Sequence, residues 1–199
     1  MTIPLLCAAT GIAEEPQERS RFDRVEREVR EKTFGIISTV DSKNRPHSTG
    51  IIFAVSAPED EFAFYIVTLE KSAKVRNIKQ NPHVSFLVTF PHHFLRFIPA
   101  STVMFRGTAE LLPLDDDGAQ RAFAQKYMTK ANLDVDSEVL KGSVVIRIRP
   151  YKTVYVYGVS IGLNAMRKDP TSARYKVTIP SERLIPVPSR VGSKNPRGD

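Results

Sequence analysis

Apolar residues recur along this chain at two different spacings, and the switches between them mark its elements. In "EEPQERSRFDRVEREVREKTF", Phe22, Val25 and Val29 lie three and four residues apart with charges between them. That is the period of a helix laying one face on a core. "FGIISTVDSKNRPHSTGIIFAVSAPEDEFAFYIVTL" then reads as three strands: Phe34 to Val40, about His47 to Val55, and Glu61 to Thr68. Asp41, Asn44 and Pro46 supply the chemistry of the first turn and "APEDE" the second. In the third strand Phe62, Phe64 and Ile66 alternate with Ala63, Tyr65 and Val67, so both parities are apolar. This predicts burial on both faces, as in a closed or strongly curled sheet.

The alternation stops at Thr68 and a polar cluster follows. A short helix is expected from Ala73 to Gln80, because Pro82 disfavours helical dihedrals at Asn81. "HVSFLVTF" is a fourth strand, "PHHFLRFIPAS" a loop, and "TVMFRGTAELLPL" a fifth strand in which Gly107 predicts a bulge or sharp bend. "DDDGAQRAFAQKYMTK" begins with acids and ends with lysines, as the helix dipole favours, with Phe123 and Tyr127 on one face. "GSVVIRIRPYKTVYVYGVS" gives a sixth and a seventh strand broken at Pro150, and "YKVTIP" one more at an edge. Hairpin order and two-sided strands together predict a mainly β fold, an antiparallel barrel with a few short helices. The domain would span 16–160, with extensions at 1–15 and 161–199. The last stretch, rich in Pro, Ser, Gly and charge from Pro186, is expected to be disordered or loosely attached.

Composition narrows the function classes. The chain has 199 residues and a net charge of +7, but its basic residues are spread out, with no Lys/Arg block. Most strand aromatics sit in apolar contexts, so nucleic acid is not the expected partner. No apolar run reaches about 18 residues, so no membrane span is expected. Cys7 is the only cysteine, which excludes an internal disulfide and fits a cytoplasmic location. His92 and His93 are adjacent, so a strand would aim them to opposite sides. They read as substrate or cofactor contacts or as loop surface, and no metal site is expected. Asp115 to Asp117 lack the alternating spacing of a calcium loop and read as helix N-terminal charge.

Candidate chemistry concentrates in "TLEKSAKVRNIKQNP". Ser72 is suited to cap the short helix. Lys74 falls in its first turn, where a cation opposes the dipole unless an anion lies nearby. Asn77 is three residues on, and Thr68 ends the preceding strand. Hydroxyls, an ammonium and free N–H groups make an anion seat, most naturally for a phosphate. The alternative is a capped surface helix with a solvated lysine.

"TLEKSAKVRNIKQNPHVSFLV" resembles the cofactor-phosphate segment of the pyridoxamine 5'-phosphate oxidase-like, FMN-binding split-barrel superfamily. "GIISTVDSKNRPHSTGIIFAV" is similar to that superfamily's first hairpin, and "VMFRGTAELLPL" to its strand ending in Gly-x-Ala-Glu. The likeness covers about Phe34 to Leu114 well and Gly142 to Tyr157 loosely. It implies an antiparallel six-stranded split β-barrel, homodimeric, with cofactor at the interface. It further implies that Thr68, Ser72 and Lys74 contact the cofactor phosphate, with Arg76 or Asn77 near it, and that His47, Ser48 and Thr49 lie along the ring. Two departures stand out: Ala73 follows Ser72 where the vitamin B6 oxidases have a basic residue, and "HSTGIIF" carries no cation. The segment more closely resembles branches that bind FMN or the 8-hydroxy-5-deazaflavin coenzyme and carry out reductions. The implied activity is hydride transfer with a small-molecule substrate; the alternative is a flavin-binding carrier or sensor of the same fold without turnover. "PHHFLRF" is a candidate substrate wall.

Overall fold

The computed structural model describes residues 16–91, 100–126, 138–169 and 171–184. Its strands are β1 (Phe34–Val40), β2 (Pro46–Ile52), β3 (Ala54–Val55), β4 (Phe64–Leu69), β5 (His83–Phe90), β6 (Ser101–Leu112), β7 (Ser143–Pro150), β8 (Thr153–Tyr157) and β9 (Arg174–Thr178). The helices are α1 (Pro16–Arg30), α2 (Ala73–Gln80), α3 (Asp117–Ala124) and α4 (Leu163–Lys168). All strand pairs are antiparallel, in the order β2-β1-β5-β6-β7-β4-β3, with β8 on β6 and β9 on β8. The fold is thus mainly β, a sheet curled into a split barrel with short helices.

The second strand expected from sequence runs as two. β2 pairs with β1, and β3 pairs with β4 at the far edge of the same sheet. Phe53 lies between them, fully buried, its N–H donating to the Thr33 carbonyl at 2.9 Å. One chain segment therefore forms both edges, and the sheet closes on itself through a covalent link. Phe53, Phe62, Phe64, Phe86 and Phe105 fill the interior, their neighbouring rings 4.7–6.5 Å apart. Phe22, Val25 and Val29 of α1 are buried in this core, as their spacing predicts.

Burial of β4 on both faces is found, for a reason that closure alone does not supply. Phe64 and Ile66 face the barrel interior, while Ala63 and Tyr65 join a second small core with Ala119, Ala122 and Phe123 of α3. Asp116 caps α3, its carboxylate accepting from the Ala119 N–H at 2.9 Å. The expected partner of Phe123, Tyr127, lies outside the described residues.

Gly107 makes a close approach rather than a bulge. β5 pairs with β6 without interruption through Gly107, while the other edge of β6 passes from β8 to β7 at that point. The chain between β7 and β8 turns at Pro150, and the Tyr151 N–H reaches the Arg106 carbonyl at 2.7 Å. Residues beyond 160 pack into the same core: Val177 and Ile179 are buried, the Phe62 N–H donates to the Arg183 carbonyl at 2.7 Å, and Arg183 and Arg30 share the Glu26 carboxylate.

A side chain at position 107 has nowhere to go. A methyl there would meet the Arg149 carbonyl oxygen at 2.1 Å, and neither strand can retreat without breaking the β6–β7 ladder. Gly107→Ala is expected to lower unfolding free energy by about 1–3 kcal/mol in chemical denaturation, the cost of overpacking. An unchanged midpoint would show that the strands are free to separate.

Candidate functional site

The site arises from a topological necessity. β4 lies between β7 and β3, while the next strand, β5, lies between β1 and β6. The chain must cross an end of the barrel, and α2 is that crossing. Val75 and Ile78, three residues apart, are buried in the main core. A tight turn precedes the helix, with the Ser72 N–H on the Leu69 carbonyl at 3.0 Å. The helix N-terminus therefore comes down beside the last residues of β4.

Three of the expected residues meet there. Ser72 occupies the N-cap position with extended dihedrals, φ −69° and ψ 156°, but its side chain makes no capping bond. Its Oγ is buried and has no hydrogen-bond partner. An orphaned hydroxyl of this kind costs about 1–3 kcal/mol. Lys74 Nζ donates to Thr68 Oγ1 at 3.0 Å, and among the described residues its ammonium has no ion-pair partner. Burial pushes the Lys74 pKa below the ordinary lysine value, because desolvation disfavours the charged form. The first turn of α2 holds no acid, and the preceding Glu70 is held by Lys79 at 3.2 Å. Orphan hydroxyl, part-buried ammonium and free helix N–H groups thus share one small region with no carboxylate of their own. An anion bound at the Lys74 ammonium would raise its pKa again. The residues present fit a phosphate group.

The remaining candidates divide between two sides of β2. Asn77 is buried, and its Nδ2 donates to Thr39 Oγ1 at 2.9 Å. This pins α2 to β1. Arg76 is exposed and donates to the Lys71 carbonyl at 2.7 Å. Between α2 and the β1–β2 turn lies a groove of about 290 Å³, lined by Asp41, Ser42, His47, Ala73, Arg76, Asn77 and Gln80. Asp41 is tied to the turn: the Arg45 and Lys43 N–H groups and the Arg45 guanidinium hold its carboxyl below the usual range. Ser48 points to the opposite, outer face, where its hydroxyl meets that of Ser38 at 2.8 Å. Thr49 is half-buried on the parity of His47 and pairs with Ile37.

Thr39 is the residue that sequence reading overlooked. It sits at the inward parity of β1, after Ile37, and a polar residue at an inward position was the available signal. His92, His93 and most of "PHHFLRF" lie outside the described residues. Among the described residues, no three His, Cys, Asp or Glu side chains group as metal ligands do.

A family model described as pyridoxamine 5'-phosphate oxidase matches residues 22–157. No curated protein matches the sequence. Solved structures share the fold at low identity. HutZ, the heme storage protein from Vibrio cholerae, is 21% identical with a TM-score of 0.53, over 74% of this chain and 97% of that one. A heme binding protein from Mycobacterium smegmatis is 16% identical with a TM-score of 0.54, over 77% of this chain and 55% of that one. Atu2129 from Agrobacterium tumefaciens, a protein of unknown function, is 17% identical with a TM-score of 0.54, over 84% of this chain and 66% of that one.

The Ser72 hydroxyl separates stability from binding. Ser72→Ala removes a buried group that bonds to nothing, so the ligand-free protein is expected to gain about 1 kcal/mol in thermal or chemical unfolding. A loss of about 1 kcal/mol instead, the usual penalty for deleting a serine cap, would mean that the hydroxyl serves the helix.

Proposed function

The chain belongs to the pyridoxamine 5'-phosphate oxidase family, and from this we propose that it is a homodimeric oxidoreductase that binds a phosphorylated flavin. FMN is the first choice of cofactor and the 8-hydroxy-5-deazaflavin coenzyme the alternative. One observation carries the reading: a part-buried lysine ammonium, held by Thr68 in the first turn of α2, has no carboxylate paired with it among the described residues. A part-buried ammonium without a counter-ion is relieved by an anionic ligand, which favours its charged form.

In this reading Thr68, Ser72 and Lys74 hold the phosphate. Thr68 fixes the direction of the ammonium, and the first N–H groups of α2 add their partial charge. Arg76 lends positive charge at the rim. Asn77 acts through its bond to Thr39, which sets the distance between α2 and β1. His47, Ser48 and Thr49 are assigned to the ring side. The bound flavin supplies the hydride chemistry, with a small organic molecule as its partner. Ala73 and the absence of a cation on β2 make this a lighter clamp than that of the vitamin B6 oxidases, so their substrate is not the one proposed.

The homodimer is supported by the outer face of the sheet. Phe34 and Ile52 face each other in register and are 52% and 55% exposed. Ile36, Leu87 and Met104 continue the apolar surface across β1, β5 and β6. Among the described residues no helix is long and apolar enough to cross a membrane. We place the protein in the cytoplasm on the strength of its single cysteine and its cofactor class.

The second reading is a carrier of the same fold without turnover. It draws support from the likeness to HutZ, a heme storage protein. Absorbance spectra and equilibrium dialysis with FMN, the deazaflavin coenzyme and hemin separate the two. A flavin is expected to bind, and to be reduced by NAD(P)H or oxidised by substrate. Lys74→Ala is expected to weaken binding by about 1.5–3 kcal/mol, the worth of a charge-assisted hydrogen bond. Binding of hemin alone would favour the carrier. Flavin affinity indifferent to Lys74 would move the phosphate elsewhere.

A further inference from the structure

A second cavity, of about 300 Å³, opens where α1 meets the C-terminal strand. Its walls are Arg21 and Arg24 of α1, Val159, Ser160 and Ile161 after β8, and Tyr175 of β9. It shares no residue with the groove at α2, and nothing in it depends on the flavin reading.

The charges here are unbalanced. Arg21 and Arg24 lie three apart, so one helix face carries both guanidinium groups. Burial raises the Tyr175 pKa, and the two guanidinium groups act against that rise. Glu182 is engaged by Arg19 at 3.2 Å and Glu26 by Arg30 and Arg183, while Asp23 and Glu28 of α1 do not line the cavity. Among the described residues neither Arg21 nor Arg24 has an ion-pair partner.

Apart from the exposed Ser160, the rest of the wall is apolar, and hydrogen bonds hold it. Val159 is buried, and Ile161 and Tyr175 are half-buried. The Tyr175 hydroxyl donates to the Val159 carbonyl at 2.8 Å, so the ring is held as a surface and its proton is already used. The loop is anchored by the Gly158 N–H on the Ala173 carbonyl at 3.0 Å. Ser160 holds φ at +60°, a left-handed conformation that is uncommon for a residue other than glycine. A cationic rim over a rigid apolar floor matches a molecule with the same two halves. Guanidinium pairs take carboxylates through paired N–H donors, and the volume is at the small end of ligand pockets.

We propose that this cavity binds a small amphipathic carboxylate, an aromatic or branched aliphatic acid. Its carboxylate lies on Arg21 and Arg24, and its apolar body lies against Val159, Ile161 and the Tyr175 ring. Benzoate is the probe, titrated into the full chain by calorimetry and by saturation-transfer NMR. Benzyl alcohol, acetate and inorganic phosphate serve as comparisons. Benzoate is expected to bind more tightly than all three, because each of them lacks one half of the match. The double variant Arg21→Gln/Arg24→Gln alters two exposed side chains and is expected to weaken benzoate at least about ten-fold. Ile161→Ser is expected to weaken benzoate and leave phosphate unchanged, and Arg27→Gln, on α1 but outside the cavity, to change neither. Phosphate or acetate binding as tightly as benzoate would overturn the proposal, as would benzoate affinity unmoved by the double variant or no benzoate binding at all. The comparison of benzoate with benzyl alcohol on the unaltered protein decides the matter even if a variant fails to fold.

Discussion

Phe53 is the hinge on which the barrel depends. Its chain neighbours belong to strands at opposite edges of the sheet, β2 pairing with β1 and β3 with β4. Its ring lies 5.1 Å from that of Phe86 and 5.8 Å from that of Phe64, both near edge-on. Edge-to-face packing of this kind adds about 0.5–1.5 kcal/mol per pair beyond the area buried. A sheet curled this tightly has to bury both its edges or expose unpaired backbone. Here one segment forms both edges, and the aromatic interior holds the two halves at a fixed separation.

That closure dictates where polar chemistry can stand. The interior is filled with phenylalanine, and the few buried hydroxyls, such as those of Thr39 and Ser56, are hydrogen-bonded. α2 has to cross one end to reach β5, and its buried side chains fix its position, so its N-terminus and the end of β4 are brought together by packing rather than by their own attraction. This is why the cradle tolerates arrangements that a free helix would reject. A lysine sits in the first turn against the dipole, and a cap-position serine leaves its hydroxyl unbonded. The core supplies the stability that these groups lack. At the other end, the Glu26 carboxylate ties α1 to Arg183, so the segment after residue 160 completes the barrel wall and forms part of the second cavity.

Much of this was legible from residue spacing. β1, α2 and β5 have the bounds their patterns predict, because Pro82 and the alternation of apolar residues act locally. The two-sided burial of β4 was visible in its two apolar parities, although its cause, α3 lying on Tyr65 and Ala63, was not. The interruption at Phe53 was illegible, since an unbroken apolar run gives no sign that pairing partners change along it. The role of Gly107 was half legible. A glycine inside a strand announced something unusual, but only the hand-over from β8 to β7 shows it to be a close approach. Aromatics expected in apolar surroundings include one that is not. Tyr155 lies between Arg106 and Lys176, 4.8 Å and 5.7 Å from its ring, because β6, β8 and β9 are neighbours in space.

By itself the sequence determined the strands, the crossing helix and the concentration of hydroxyl, ammonium and amide groups around it. These follow from periods, caps and breakers that act over a few residues. The tertiary structure alone decided which of those groups meet. Lys74 turns back to Thr68 at the end of β4, Asn77 turns to Thr39, and Ser48 faces away from His47. Residues adjacent in sequence were parted, and residues distant in sequence joined, because strand pairing and core packing act across the whole chain. Spacing along the chain holds no record of them.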